Sequence, residues 1–174
     1  GHSLVLSSLI PNCLSYDPTF SFEIAVIMRE GLRRMYQEQE DILYYITVMN
    51  ENYAHPGMKA GQEEGIIKGL YLFQKAEDNT KHRVQLMGSG TILREVIAAA
   101  DLLKNDWGIA ADVWSAPSFT LLARDGQDAE RYNMLHPTET ARLPYFTECL
   151  KDTQGPIVVS TDYMRTYAEQ VRAF

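Results

Sequence analysis

Apolar runs and one periodic segment alternate over the first fifty positions. Residues 13–16 form a short apolar run, and residues 42–49 (ILYYITVM) form a longer one rich in β-branched and aromatic side chains. The first run predicts a short strand, and the second predicts a strand buried on both faces. Between them the apolar positions recur at helical spacing, which predicts an amphipathic helix ending near Gln39. The apolar stripe of that helix contains Phe20, Ile24, Ile27, Gly31 and Met35.

Two breaks in the pattern mark boundaries. Asp17 followed by Pro18 predicts the start of the helix, because an Asp side chain can accept from free backbone N–H groups and Pro loses nothing at the first position. The order predicted for the first fifty residues is then helix, strand, helix, strand. Residues 50–62 (NENYAHPGMKAGQ) lack periodicity and indicate a loop or linker. We therefore predict two units, with the boundary within residues 50–62.

Beyond the linker the pattern predicts a second α/β unit. Apolar runs predict strands over residues 65–74, 84–87, 111–114 and 156–161, the last of them buried. Helices are predicted after Gly88-Ser89-Gly90-Thr91, over residues 125–135 and from Asp162 onward, and residues 77–82 form a polar turn. The predicted fold class is therefore α/β, with mostly parallel sheets and helices on both faces. The first of these helices has an apolar face of Leu93, Val96, Ala100, Leu103 and Trp107 and stops at Gly108.

Composition and charge narrow the class of protein. The 174 residues are 45% hydrophobic and 22% charged, with a net charge of −7 and no basic stripe, which argues against a nucleic-acid partner. The apolar runs are far shorter than the roughly 20 residues of a membrane span. Cys13 and Cys149 lack metal or disulfide spacing. We expect a cytoplasmic protein without a membrane partner, and a fragment of a larger one, because the chain lacks an initial Met and stops within a helical pattern.

Two glycine-containing stretches invite a chemical interpretation. Gly88-Ser89-Gly90 joins a strand to a helix, where phosphates often dock, but the GxGxxG pattern fails because residue 93 is Leu. A tight turn is the favoured interpretation, with a phosphate site as the alternative. Residues 124–128 (RDGQD) lack the ligand ladder of an EF-hand, which favours a capped turn opening a helix over residues 129–135.

The four histidines fall into two groups. His82 and His136 are isolated, which favours surface or capping roles over that of a general base. His2, at the start of the chain, and His55, in the linker, are candidates for a ligand site, because loops after parallel strands carry such sites. No Ser-His-Asp or Cys-His set can be assembled from the spacing, so the residues alone predict no complete catalytic site.

Short runs spread over nearly the whole chain resemble one family. They resemble the transketolase superfamily of thiamine-diphosphate enzymes and, more closely, the decarboxylating first components of homodimeric bacterial pyruvate dehydrogenase complexes. The matching runs are GHS (1–3), IPNC (10–13), SYDP (15–18), EIAVIM (23–28), GL (31–32), YYIT (44–47), NENY (50–53), EEGI (63–66), LMGSG (86–90), ARDGQD (123–128), NMLHP (133–137) and STDYM (160–164).

The resemblance implies a place in a three-domain enzyme. Residues 1–58 would be the end of the middle, pyrimidine-type domain, and residues 59–174 most of the transketolase C-terminal-like domain. The family's GDG…N motif for the diphosphate and Mg²⁺ is absent from the chain. Its acidic activator and an active-site histidine would lie before Gly1. No catalytic or metal-binding residue is therefore carried over. The substrate-channel candidates are His2, Asn50, Glu51, Asn52 and His55, of which His55 departs from the family pattern.

The resemblance also implies a reaction and partners. The full-length protein would be a homodimer that uses thiamine diphosphate and Mg²⁺ to decarboxylate pyruvate and acetylate the lipoyl group of an acyltransferase component. We expect the 174-residue chain by itself to bind neither cofactor nor to turn over. The alternatives are a piece of a transketolase-like enzyme and a non-catalytic α/β interaction module.

Overall fold

The computed structural model describes residues 1–77 and 80–174, which form two β-sheets with helices packed on them. The strands are β1 (Cys13–Tyr16), β2 (Leu43–Ile46), β3 (Tyr71–Gln74), β4 (Arg83–Gly88), β5 (Ala110–Ser115) and β6 (Ile157–Ser160). The helices are α1 (Ser3–Ser8), α2 (Ser21–Leu32), α3 (Glu63–Lys68), α4 (Ile92–Trp107), α5 (Phe119–Leu135), α6 (Tyr145–Leu150) and α7 (Arg165–Glu169), and a π-helical segment (Arg33–Gln37) continues α2.

Parallel pairing dominates both sheets. Strands β1 and β2 form a parallel two-stranded sheet, and the second sheet has the order β3-β5-β4-β6. Within it β4 is parallel to both β5 and β6, and only β3 runs antiparallel to its neighbour. The predicted α/β class with mostly parallel sheets is confirmed. No helix in the described ranges combines the length and the apolar character that a bilayer crossing requires.

Strand burial differs from the prediction at two positions in the fold. Strands β4 and β5 are buried along almost their whole length, as central strands of a covered parallel sheet should be. The predicted burial of β2 on both faces is wrong, because Leu43 and Tyr45 are exposed. The predicted burial of β6 is also wrong, since Ile157 and Val158 are about half exposed. Each of these strands lies at a sheet edge with one neighbour, which apolar composition alone does not reveal.

The long helix begins later than predicted. Phe20 is the residue before α2, and Asp17 does not cap it. Glu23 instead turns back within the first turn and accepts from the backbone N–H groups of Thr19 and Phe20. This is the reciprocal part of a capping box, in which a side chain at the third helical position satisfies free donors. The predicted cap at Asp17 is therefore wrong, because its carboxylate binds partners elsewhere.

Three further predictions need correction: the strand over residues 65–74, the capped turn over residues 124–128 and the apolar face of the helix after Thr91. The run over residues 65–74 is divided by Gly69, whose φ of 97° ends α3 before β3 begins. Residues 124–128 lie within α5 and do not form a capped turn, since Ser118 caps that helix earlier by accepting from the backbone of Leu121. Helix α4 has the predicted bounds and stops at Gly108, but Trp107 is 75% exposed and does not belong to its buried face. The polar turn predicted over residues 77–82 includes residues 78 and 79, which lie outside the described residues.

Apolar packing joins the two sheets. One buried cluster contains Leu14, Val26 and Ile27 from the β1–α2 region together with Ile66 and Tyr71 from the α3–β3 region. Two other clusters cover the faces of the four-stranded sheet. Residues before and after the 50–62 loop thus share part of one core, so their relative position is fixed by packing. The division at residue 58 stays a prediction.

Candidate functional site

The carboxyl ends of four parallel strands meet at one place. Directly after β1, β2, β4 and β6 come Asp17, Thr47, Ser89 and Thr161, which we call the Asp17 cluster. The Thr47 hydroxyl donates to one carboxylate oxygen of Asp17 at 2.7 Å, and the Ser89 hydroxyl donates to the other at 2.9 Å. The hydroxyl oxygens of Ser89 and Thr161 lie 3.0 Å apart. The cluster therefore links both sheets at the edge where ligand sites of open α/β sheets form.

The environment of Asp17 is nearly dry. The residue is 7% exposed, and burial raises the pKa of its carboxyl, against the lowering effect of the hydrogen bonds from Thr47 and Ser89. The charge of Asp162 raises this pKa further. At Gly90 the backbone has a φ of 51°, and an added Cβ would lie 2.5 Å from a carboxylate oxygen of Asp17. The Gly88-Ser89-Gly90 segment is thus a tight turn packed on the chain's own carboxylate, in agreement with the favoured interpretation.

A second carboxylate is buried completely. Glu23 is 0% exposed and accepts four hydrogen bonds, a set we call the Glu23 node. Two come from the backbone N–H groups of Thr19 and Phe20, and two come from the hydroxyls of Tyr71 at 2.7 Å and Ser115 at 2.6 Å. Because Tyr71 lies in β3 and Ser115 in β5, the node connects the start of α2 to the four-stranded sheet.

The protonation states in the Glu23 node follow from burial. Loss of hydration raises the pKa of the Glu23 carboxyl, and the hydrogen bonds from Ser115, Tyr71, Phe20 and Thr19 oppose that rise. Burial and the adjacent charge of Glu23 raise the pKa of the Tyr71 hydroxyl well above its usual range. Tyr71 therefore stays protonated and remains a donor to Glu23.

The loop of residues 50–55 is held by side chains from two directions. The Arg94 guanidinium, from the first turn of α4, binds the Glu51 carboxylate at 2.9 Å and lies 4.3 Å from the centroid of the Tyr53 ring. The Tyr53 hydroxyl donates to the backbone carbonyl of Thr19. His55 Nδ1 accepts from the backbone N–H of Ser21 at 3.1 Å, which requires the proton of a neutral ring to be on Nε2.

The predicted site residues are only partly brought together. Glu51 and His55 belong to the tethered loop, while Asn50 and Asn52 are exposed and make no side-chain hydrogen bond within residues 1–77 and 80–174. His2 is exposed at the start of α1, and its side chain does not cap that helix. Gly1 contacts the start of α7, where its carbonyl accepts from the Met164 N–H at 2.9 Å. No hydrogen bond, ion pair or ring contact joins His2 to the loop in the described part of the chain, and their shared role in a channel stays a prediction.

Sequence reasoning missed the Asp17 cluster and the Glu23 node. The signal for the cluster was partial: Asp17 directly follows the run over residues 13–16, but Thr47 lies within the run over 42–49 and Thr161 within that over 156–161. The Glu23 node had no comparable signal, since its donors Tyr71 and Ser115 lie 48 and 92 residues further along the chain. His136 is where the sequence placed it, at the exit of α5, with Nδ1 2.9 Å from the Tyr132 carbonyl.

Comparison with known protein families gives two adjoining matches. Residues 1–56 match the family described as the pyruvate dehydrogenase E1 component middle domain. Residues 69–173 match the transketolase-like C-terminal domain family. The two matches lie on either side of the 50–62 loop.

Curated relatives match over the whole chain. Proteins named pyruvate dehydrogenase E1 component are 62% identical in Cupriavidus necator, 60% in Pseudomonas aeruginosa and 56% in Escherichia coli K12. These alignments cover 99–100% of this chain and 19–20% of the relatives. The chain thus spans about a fifth of the length of the curated relatives it matches.

Solved structures agree on the fold. A transketolase complex with sedoheptulose 7-phosphate from Pichia stipitis has a TM-score of 0.58 at 16% identity, over 95% of this chain and 20% of that one. Transketolase from Leishmania mexicana has a TM-score of 0.53 at 14% identity, with the same coverage. The resemblance noted in the sequence is confirmed: the chain belongs to the transketolase-like C-terminal domain family over residues 69–173, preceded by a segment of the pyruvate dehydrogenase E1 middle-domain family over residues 1–56.

Proposed function

We propose that this chain is a segment of a pyruvate dehydrogenase E1 component. In the proposed reaction the full-length protein releases CO₂ from pyruvate and passes the remaining two-carbon unit to the lipoyl group of an acyltransferase component. The observation that carries the proposal is 62% identity with a protein of that name across the entire chain, far above the 16% identity with transketolases of known structure. A homodimeric state, a place in a multienzyme complex and a cytoplasmic location are parts of the same proposal.

The implied cofactors are thiamine diphosphate and Mg²⁺, and the residues of this chain do not fit them. In the described ranges no three His, Cys, Asp or Glu side chains come together in a group that could hold a metal ion. The glycine turn before α4, where a phosphate could have docked, is packed against Asp17. We therefore place the groups that bind the diphosphate and its metal in parts of the full-length enzyme outside this segment.

The proposed contribution of this segment is structural. The Glu23 node and the Asp17 cluster join the middle-domain segment to the C-terminal domain through buried carboxylates. Together they fix the relative position of β2 and α3, between which loop 50–55 lies. Such fixed geometry is what a substrate channel between domains requires, because catalytic groups act only when held in place.

A substrate panel on the full-length protein tests the proposal. We expect pyruvate, with thiamine diphosphate, Mg²⁺ and a lipoylated acceptor domain, to give CO₂ and the acetylated acceptor. Two-carbon transfer from a ketose phosphate without pyruvate decarboxylation would support the transketolase-like alternative. Absence of both reactions in a folded protein that binds the cofactor would favour the non-catalytic module.

The 174-residue chain offers a second test. We expect no turnover of pyruvate and no heat of thiamine diphosphate binding in calorimetry with Mg²⁺, because the chain lacks a fitting metal site in its described part. Micromolar binding by the chain alone would contradict this expectation.

A further inference from the structure

Loop 50–55 has no regular secondary structure, yet it is held in one position. Its own backbone forms no helix or strand, so its position depends on side chains. Tyr53 and His55 bind the start of α2, where the Tyr53 hydroxyl donates to the Thr19 carbonyl and His55 accepts from Ser21. Tyr53 also packs against the apolar cluster that includes Phe20, Val84 and Leu93. A further tether comes from Arg94 of α4, in the C-terminal domain.

Arg94 makes that tether with two different parts of its guanidinium group. One edge donates to the Glu51 carboxylate at 2.9 Å, and the planar face lies 4.3 Å from the Tyr53 centroid. A guanidinium can form an ion pair and a stacking contact together, whereas the compact ammonium of Lys serves one of them at a time. The contact continues from Tyr53 to His55, whose ring centroids are 4.6 Å apart.

The position of Arg94 on its helix points to a role outside the helix. It is the third residue of α4, where the positive end of the helix dipole disfavours a cation. The ion pair with Glu51 is also partly solvated, with 32% of the Arg94 side chain and 51% of the Glu51 side chain exposed, and such pairs contribute little to folding. Arg94 therefore contributes little to the stability of α4 or of the whole fold. Its contacts instead hold the loop.

We propose that Arg94 is a positioning residue that holds loop 50–55 at the substrate channel of the enzyme. This inference rests on the proposed function, because it gives the loop its role in pyruvate binding. Asn50 and Asn52 flank Glu51, so the Arg94–Glu51 and Arg94–Tyr53 contacts fix where both exposed amides are presented. The polar tether of the loop to the C-terminal domain would then be the Arg94 side chain.

The full-length enzyme with Arg94→Ala tests the proposal, and Lys68→Ala is the matched control. Lys68 also pairs with a carboxylate, Glu64 at 2.7 Å, and also lies over a ring, Tyr145 at 4.7 Å, but it belongs to α3 and touches no residue of loop 50–55 in the described contacts. Both variants lose one exposed ion pair and one cation–π contact. A difference between them therefore reports on the loop.

The expected results separate positioning from a general structural effect. In limited proteolysis with chymotrypsin, Arg94→Ala should speed cleavage after Tyr53 about tenfold, because two weak contacts no longer hold the loop in place, and Lys68→Ala should leave the cleavage rate unchanged. The KM for pyruvate should rise about fivefold to tenfold in Arg94→Ala with kcat within about twofold, as expected when a binding interaction is lost. Arg94→Lys should fall between the two, and the melting temperature should stay within about 2 °C of the wild type.

Three outcomes would overturn the inference. An unchanged rate of cleavage in the loop of Arg94→Ala would show that Arg94 does not hold it. A loosened loop with an unchanged KM would show that the loop does not serve pyruvate binding. Parallel losses of melting temperature and kcat would show a general structural role. A wild-type protein that does not decarboxylate pyruvate would instead count against the proposed function, and the proteolysis measurement would still decide whether Arg94 positions the loop.

Discussion

Two of the contacts between the middle-domain segment and the C-terminal domain use the same chemistry in opposite environments. In the Glu23 node a carboxylate is completely buried and accepts four hydrogen bonds, two of them from the C-terminal domain. At the Arg94 contact a carboxylate, that of Glu51, is half exposed and is bound by one cation. Water can replace Arg94 as a partner of Glu51, but nothing in a dry site can replace the partners of Glu23. The buried joint is therefore expected to set stability, and the exposed one to set the position of a loop.

The largest loss of stability is expected for Glu23→Ala. The change leaves the N–H groups of Thr19 and Phe20 and the hydroxyls of Tyr71 and Ser115 without their acceptor in a buried site. We expect a loss of about 4 kcal/mol in the free energy of unfolding. Urea unfolding followed by the fluorescence of the buried Trp114 measures it, with Glu51→Ala as the control. A loss below about 1 kcal/mol would contradict the view that the two joints differ in kind.

Removal of a single hydrogen-bond donor to Glu23 should reduce stability by less. Tyr71→Phe and Ser115→Ala each delete one hydroxyl that donates to the same oxygen of Glu23. Because the carboxylate keeps three donors in each variant, we expect losses of about 1.5 to 2 kcal/mol. In a double-mutant cycle the effects should not be additive, since the two hydroxyls share one acceptor. Additive effects would indicate that the hydroxyls act through separate contacts.

The pH dependence of stability should change in Asp17→Asn, by less than the single-donor effects. Burial raises the folded-state pKa of Asp17 above its ordinary value of 3.8. The stability that this carboxyl contributes is therefore present below pH 3.8 and is lost as the pH rises through the raised folded-state pKa. The amide cannot ionise, and it can still pair with Thr47 and Ser89, because hydroxyls donate and accept.

Urea unfolding of the wild type and Asp17→Asn across this pH range measures the effect. The stability of the variant should improve relative to the wild type as the pH rises. If the difference in stability stays constant, or if the variant loses stability relative to the wild type as the pH rises, the hydroxyls stabilise the carboxylate at least as much as burial destabilises it.

The smallest effect is expected for Glu51→Gln. An exposed ion pair contributes less than about 1 kcal/mol to stability. About 1 M salt should remove most of the difference in stability between the variant and the wild type, because solvated charges are screened. The loss in Glu23→Ala should persist in the same salt, because no solvated pair is involved. If salt reduces the loss of stability in both variants, or in neither, the distinction between the two joints is lost.

The sequence predicted those features that depend on local pattern. Strands β1, β4 and β5 and the end of α4 at Gly108 follow from apolar runs and a helix-ending glycine, which act on neighbouring residues. Asp17 was misassigned to a helix cap because its partner Ser89 lies 72 residues away, beyond any local pattern. The exposure of β2 and β6 was missed for a related reason. Each is an edge strand with one neighbour, and apolar composition does not show how many neighbours a strand has.

The candidate site was predictable to the same limited extent. The 50–55 loop was identified from its composition and from the family resemblance. The side chain that holds the loop was not identified, because Arg94 lies 43 residues beyond Glu51. In the sequence it resembles any charged residue on a helix surface. Buried hydrogen bonds between distant residues, as in the Glu23 node, require the fold before they can be seen.

The Gly88-Ser89-Gly90 turn also determines what the protein does not bind. A glycine turn at the head of a helix is where many α/β proteins take up a dissolved anion. Here the anion is Asp17, which is covalently part of the same chain and lies against Gly90 with Ser89 donating to it. Its effective concentration at the turn is therefore far above that of free phosphate in solution. A dissolved anion would have to displace the carboxylate to enter the turn, so Asp17 acts as an intramolecular competitor there.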